Sequence, residues 1–349
     1  MPSFHNRHTI NIAAAFLLAA SMTAPGCDEA NDEATALKMA YTTFMISRAE
    51  FEPSAVINPE SEYMVVVGDI QEYTATTTLL PYLTKSLDWV RCQQSYFGNI
   101  ACVVQNGDVT NNNYPYQWAS AANAFSHLGD STLWIWATGN HDYDWCDIRI
   151  DDRNSTMFNA FAGSPMLSAA EKTLFEEGDL ANMIVHHPFP EHGNLDLMIL
   201  EFGPRPQVVE WAADFAASHP ERHFILITHE WLWLDGRRID LGSSAKMQFA
   251  DIPCSSPEEV WNRLVYPNDN VRCVVCGHNG FCLHLKTPNA AGRQVSQVLF
   301  NLQYQLNGGN GMLQLWEFPK GKDYAEVLVY YSLAEHILPD HDKRFRVEL

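Results

Sequence analysis

Five short motifs place side chains that bind metal ions or move protons: Gly68-Asp69-Ile70-Gln71, Gly107-Asp108-Val109, Gly139-Asn140-His141-Asp142, Thr228-His229-Glu230 and Gly277-His278-Asn279-Gly280. Taken singly, Gly-Asp and Gly-His dipeptides mark turns. Here all five fall at or directly after the ends of apolar runs, where the ligand-binding loops of open α/β sheets gather. Asp, Asn and His collected at five such ends would make one pocket of oxygen and imidazole donors. That donor set suits Mn, Fe or Zn better than Mg or Ca, and the product expected is a pair of divalent ions bridged by one carboxylate.

The apolar runs that must position these motifs are 63–67, 100–105, 132–137, 195–201, 223–228, 271–276, 295–302, 312–318 and 325–331. Most are rich in Val, Ile, Leu and aromatics without alternation, as expected of strands covered on both faces. Segments 79–90, 116–128 and 206–218 carry apolar residues at helical spacing, so the early strands read as βαβ crossovers. Only Gly-rich or polar turns, such as 307–311, separate the last three runs, which predicts a hairpin-linked second sheet. One catalytic domain over 60–335 is expected, after a signal peptide (1–26) and an acidic leader (27–59), and before a polar C-terminal tail (336–349).

The ordered series GDIQ, GDV, GNHD, THE and GH resembles the calcineurin-like metallophosphoesterases, over nearly all of 63–332. Gln in the first motif, with Gln303 ahead of the turn at 307–311, resembles a bacterial branch of that family. The resemblance implies a four-layer α/β/β/α sandwich with two mixed β-sheets and metals at the C-terminal ends of strands. It assigns Asp69 and Gln71 to a first metal, Asp108 to a bridging position, and Asn140, His229 and His278 to a second metal. His141 would be the general acid beside the leaving group, with Asp142 orienting its ring. Two divalent ions, Mn, Fe or Zn, would clamp a phosphoryl group and lower the pKa of a bridging water, so that metal-bound hydroxide attacks a phosphomonoester or phosphodiester. Two departures fall on the first metal: Gln71 stands where the family usually has His, and Gly280 where a further His would bind. The first site is therefore expected to be weak; Cys282 and His284 lie near enough in sequence to substitute, though each reads rather as a packing or surface residue. A catalytically weak metal-binding or ligand-binding surface protein of the same fold is the alternative.

Composition narrows the partners. The 42 acidic and 22 basic residues give a formal charge of −20, which opposes wrapping a nucleic acid, because phosphate binding needs clustered Lys and Arg. A small phosphate ester can still bind where metal cations reverse the local field. Arg153, shortly after GNHD, is a candidate for substrate phosphate and reads equally as a surface-loop residue. Arg7 and His8 ahead of the short apolar run 12–20 read as an export signal. That predicts a periplasmic or extracellular protein, secreted or held to a membrane by a lipid on Cys27. His186 and His187 precede Pro188 outside the motif series and read as loop or strand-end residues, and the Cys273/Cys276 pair reads as strand interior.

Overall fold

The computed structural model describes residues 35, 38, 42, 43, 45–146, 149–249, 251–340 and 343–349. The expected signal peptide, Cys27 and the acidic cluster after it lie outside the described residues. The later part of the expected leader does not run free as a tether. Ile46 and Ile57 are buried in the core, the Ser54 N–H donates to Gln93 Oε1, and the Ser54 hydroxyl bonds that of Tyr330.

Two seven-stranded mixed sheets carry the fold. In the first, β1 (Ser61–Val67) lies between β2 (Ile100–Gln105), which is parallel to it, and β13 (Leu313–Pro319), which is antiparallel. β3 (Trp134–Trp136) extends the parallel side, and β14 (Tyr324–Tyr331) pairs with β13. The second sheet runs from β6 (Lys172–Leu174) through β7 (Met183–Val185), β8 (Leu195–Ile199), β9 (His223–Ile227) and β10 (Val271–Cys276) to β12 (Gln294–Asn301) and β11 (Phe281–Pro288). Strands β8, β9, β10 and β12 are mutually parallel. Trp145–Cys146 and Arg149–Ile150 form a separate two-stranded ribbon, β4 and β5.

Helices cover both sheets. Leu80–Phe97 and Pro115–Ser126 pack on the first sheet, and Pro206–Ser218 packs on the second. Each begins with Pro in its first turn, where the missing N–H costs nothing, and the first ends on Gly98 at φ 66°. One buried cluster joins these first helices to β1, β2 and β3; a second joins the two sheets; a third joins the second sheet to its helix. That division of the core fits the expected order of helices, sheet, sheet and helices.

Two expectations about the C-terminal third need correction. The last three runs are not one hairpin-linked sheet: β12 completes the parallel ladder of the second sheet, and β13 and β14 cross to the first. Turn chemistry alone could not show this crossing, since 302–312 links strands of different sheets. Nor is 336–349 only a polar tail. His336–Ile337 and Arg344–Glu348 form β15 and β16, both antiparallel to β14, and Val347 is fully buried between the sheets. Arg344, Arg346 and Glu348 make the segment look polar, but they are the outward half of a strand alternating with Phe345 and Val347.

Candidate metal centre

All five motifs sit at the C-terminal ends of parallel strands: Asp69 after β1, Asp108 after β2, Asn140 after β3, His229 after β9 and His278 after β10. The two sheets therefore aim their loops at one place. Close approach there depends on glycine. A Cβ on Gly139 would collide with the Asp108 carboxylate and backbone, and one on Gly107, at φ 107°, would collide with the His229 ring. Asp108 and His278 themselves hold left-handed backbone, at φ 58° and 70°. Such conformations cost about 1–3 kcal/mol and persist where the surroundings dictate them.

Asp108, His229 and His278 present ligand atoms that all lie within 4.8 Å of one another. His229 is fully buried, and its Nδ1 bonds the Asn106 carbonyl at 2.9 Å, which fixes the ring with Nε2 facing Asp108 Oδ1 at 3.2 Å. The Nε2 atom of His278 meets Ser244 Oγ at 2.9 Å. Gln71 donates its amide to Asp108 Oδ2 at 2.9 Å, and the His141 backbone N–H donates to Oδ1 at 3.0 Å. Asp69 accepts from Asn301 Nδ2 at 2.7 Å and from the His278 N–H.

The fit to metal shows in what is left unpaired. Gln71 Oε1 and Asn140 Oδ1 are buried without a hydrogen bond, and each belongs to a residue whose type and motif suggest a ligand, while His229 Nε2 has the Asp108 carboxylate beside it. Buried acceptors without partners are uncommon in folded proteins. The electrostatics agree. Burial, reinforced by Asp108, raises the Asp69 pKa well above the carboxylate range, with His229 opposing. Burial works against ionised Asp108 too, but His229, His141 and His278 outweigh it and hold its carboxyl far below that range. Burial disfavours charge on His229, yet Asp108 and Asp69 push its pKa up to about 10. Burial and the neighbouring His229 take His278 down to about 3. Without metal, the cluster uses the His229 proton as its cation. A divalent ion supplies more positive charge at the same place and takes the imidazole nitrogen.

His141 is partly exposed, and its Nδ1 meets the Asn111 carbonyl at 2.8 Å. The expected orienting bond from Asp142 is absent. The Asp142 carboxylate instead accepts from the backbone of Gly139, Val109 and Thr110 and from the Thr110 hydroxyl, which binds the second and third motif loops together. Its pKa rises to about 6 through burial and the charge of Asp108. A carbonyl orienter leaves no side-chain signature, so the sequence favours the adjacent acid. Arg153 also departs from expectation. Its guanidinium donates to the Phe202, Gly203 and Pro253 carbonyls, lies 3.5 Å from Glu201 and stacks on Phe249. The Phe249 and Phe202 rings separate it from His229 and His278.

Neither nearby substitute reaches the first metal position. Cys282 packs between the sheets, and His284 bonds Ser296 and stacks on Phe345 at 4.0 Å. The amides of Asn301 and Gln303 surround Asp69 instead. In the sequence, Asn301 shows only as one residue near the end of an apolar run. His186 and His187 lie elsewhere: His186 and Arg222 pair with buried Asp196, and the His187 N–H donates to the same carboxylate.

A family model described as calcineurin-like phosphoesterase matches residues 64–280. An uncharacterized protein of Bacillus subtilis (strain 168), YvnB, is 26% identical over an alignment of 278 residues that covers 76% of this chain and 19% of that protein. The chain thus spans about a fifth of that relative's length. Among solved structures, purple acid phosphatase PPD1 from yellow lupin (Lupinus luteus) seeds has a TM-score of 0.48 at 14% identity, covering 82% of this chain and 54% of that one. The 5'-nucleotidase precursor from Thermus thermophilus has a TM-score of 0.37 at 11% identity, covering 83% and 54%. At these scores the two structures add no weight, and the assignment rests on the family match. With 64–280 accounting for more than half its length, the chain belongs to the calcineurin-like phosphoesterase family.

Proposed function

We propose that the chain hydrolyses phosphate esters with the help of two divalent ions held by the five motif loops. The observation that carries this reading is the pair of buried, unpartnered oxygens, Gln71 Oε1 and Asn140 Oδ1, beside the cluster of Asp108, His229 and His278. Asp69, Gln71 and Asp108 would hold one ion, and Asp108, Asn140, His229 and His278 the other. Bound there, the ions supply Lewis-acid stabilisation of the phosphoryl oxygens and acidify a water. The protein's own part is positional. Asp108 is fixed by the Gln71 amide and the His141 N–H, and His229 is oriented by the Asn106 carbonyl. His141, held by the Asn111 carbonyl at one nitrogen, keeps its other nitrogen for the leaving-group oxygen as general acid.

The first ion is the weaker of the two. Its residues offer carboxylate and amide oxygen and no imidazole, whereas the second set includes two imidazoles, the better donors to Zn or Fe. Stepwise dialysis against chelator, followed by metal analysis, should remove one ion well before the other. Two ions lost together at one chelator concentration would refute this asymmetry. Export, with or without a lipid on Cys27, rests on the pattern of residues 1–27 and is read by fractionating cells that express the full chain.

The test of activity is hydrolysis of p-nitrophenyl phosphate and its bis ester with Mn, Zn, Fe, Ni and Mg compared, beside a His141→Ala control. Metal-dependent turnover supports the enzyme, and in the control it should fall only modestly, because p-nitrophenolate leaves without needing a proton. Folded protein with no turnover under any metal would shift the reading to a metal-binding relic, the alternative that Gln71 and Gly280 suggest.

A further inference from the structure

The loops that carry the metal centre are unusual in two respects. Segments 68–79, 106–117, 139–146, 277–283 and 301–312 contain no Lys or Arg. On the remaining loop, over 230–249, every cation is paired: Arg237 with Asp235, Arg238 with Glu258 and Lys246 with Glu259. Within these segments no guanidinium or ammonium stands unpaired before a second phosphate charge; beyond them, the exposed Arg149 lies on the ribbon that follows 139–146. At the same time they concentrate exposed apolar surface. Of the eleven large hydrophobic side chains exposed among the described residues, all but Tyr96, Met166 and Tyr266 lie on or directly beside these loops.

The apolar side chains flank the cluster on two sides. Tyr304, 73% exposed, follows Gln303, whose amide faces Asp69, and its ring lies against Gly280, where a Cβ would stand 2.5 Å from Tyr304 Cδ2. Phe281 is half exposed and held at φ 106°, a strained value for an aromatic residue. Beside it, a cavity of about 520 Å³ is lined chiefly by Phe281, Leu302, Met312 and Leu338, and its one cation, Lys343, is paired with Asp340. Opposite, Met247 at 62% exposure shares a helix with Ser244, which bonds His278, and Leu241 at 89% precedes that helix.

We infer that the substrate is a phosphodiester of single negative charge carrying an aromatic or similarly bulky apolar substituent, received by Tyr304 and Phe281. This rests on the phosphoesterase reading and narrows it. A monoester dianion or a polyphosphate brings charge that only the ions can meet, in a protein of net charge −20. A diester brings one charge, and its apolar group gains contact with rings already standing in solvent.

Calorimetric binding to the Mn-loaded full-length protein separates this inference from catalysis, using diphenyl phosphate, dimethyl phosphate and phenyl phosphate as probes. Diphenyl phosphate should bind about 10-fold tighter than either of the others, the scale of one ring contact of about 1.4 kcal/mol. Tyr304→Ala or Phe281→Ala should bring the diphenyl-to-dimethyl ratio toward one, and Tyr96→Ala, far from the site, should leave it. Equal binding of the two diesters, tighter binding of phenyl phosphate, or a ratio unmoved by both substitutions would overturn the inference. Turnover of methyl and phenyl p-nitrophenyl phosphates reports on the enzyme separately: discrimination in binding with no turnover removes the hydrolase reading and keeps the ligand class.

Discussion

Removing the metal should lower the stability of this protein by an amount set by what the cluster leaves unpaired. Gln71 Oε1 and Asn140 Oδ1 are buried without hydrogen bonds. An unsatisfied buried polar group costs about 1–3 kcal/mol, so satisfying both is worth about 3 kcal/mol, toward the lower end. By linkage, free metal at about 100 times its Kd supplies about 2.7 kcal/mol, so the comparison is made at that excess. For a large domain each kcal/mol moves Tm by about 2–4 °C, so the expected gain is about 6–12 °C. The assay is thermal unfolding of chelator-stripped protein with and without Mn or Zn, beside Asn140→Ala. That variant deletes one unpaired acceptor, so it should lose part of the metal-induced gain while its metal-free stability stays close to the parent's. A metal-induced shift under about 2 °C, or an undiminished shift in the Asn140 variant, would refute the assignment of these atoms as ligands.

Other substitutions test other parts of the structure. His141→Ala should lower kcat by about 10²–10⁴ on an alkyl ester and less on a p-nitrophenyl ester, whose leaving group needs no proton; equal losses on both would argue against a general acid. Gly139→Ala should reduce metal stoichiometry as read by metal analysis, because its Cβ meets the Asp108 carboxylate. Asp196→Ala should cost about 3–5 kcal/mol in urea at pH 7, since it breaks a buried pair with Arg222 and His186. Burial opposes ionised Asp196, but His186 and Arg222 hold its pKa below the unfolded value of about 3.9. Its contribution is therefore full above that value and lost as pH falls through the folded pKa, so the variant and parent should converge in acid. Truncation after residue 339 should lower Tm, because it removes β16 and buried Val347.

Much of this fold is legible in the sequence because its central strands are covered on both faces. Runs 100–105 and 271–276 match β2 and β10 to the residue, and 206–218 matches its helix. What escapes is the sheet edge and one short interior strand, β7, three buried residues long. β11 has Cys282 as its only buried residue from Phe281 to Pro288, β6 is three half-buried residues, and β16 shows charge on its outer face. The centre divides the same way. Side chains such as Asp108 and His229 announce themselves by type and placement. The Asn111 carbonyl that holds His141, and the left-handed backbone at Asp108 and His278, leave no mark in residue type. Arg153 misleads because guanidinium chemistry suits a phosphate and a cluster of carbonyls equally well.

The charge of the chain and the chemistry of its centre follow one logic. Forty-two acidic residues, and ligand loops whose few cations are already paired, leave the centre itself with no Lys or Arg with which to meet a phosphate. Inside the centre, the nearest substitute is the proton on His229, held there by Asp108 and Asp69. A protein arranged this way binds phosphate esters only as its ions allow, so metal loading should gate substrate binding as well as turnover. The carboxylates that draw in the ions would repel the substrate in their absence. Stripped protein should therefore show no calorimetric heat with diphenyl phosphate, and Mn should restore it. Binding of the diester to metal-free protein would mean that the apolar rim, and not the charge of the centre, dominates recognition.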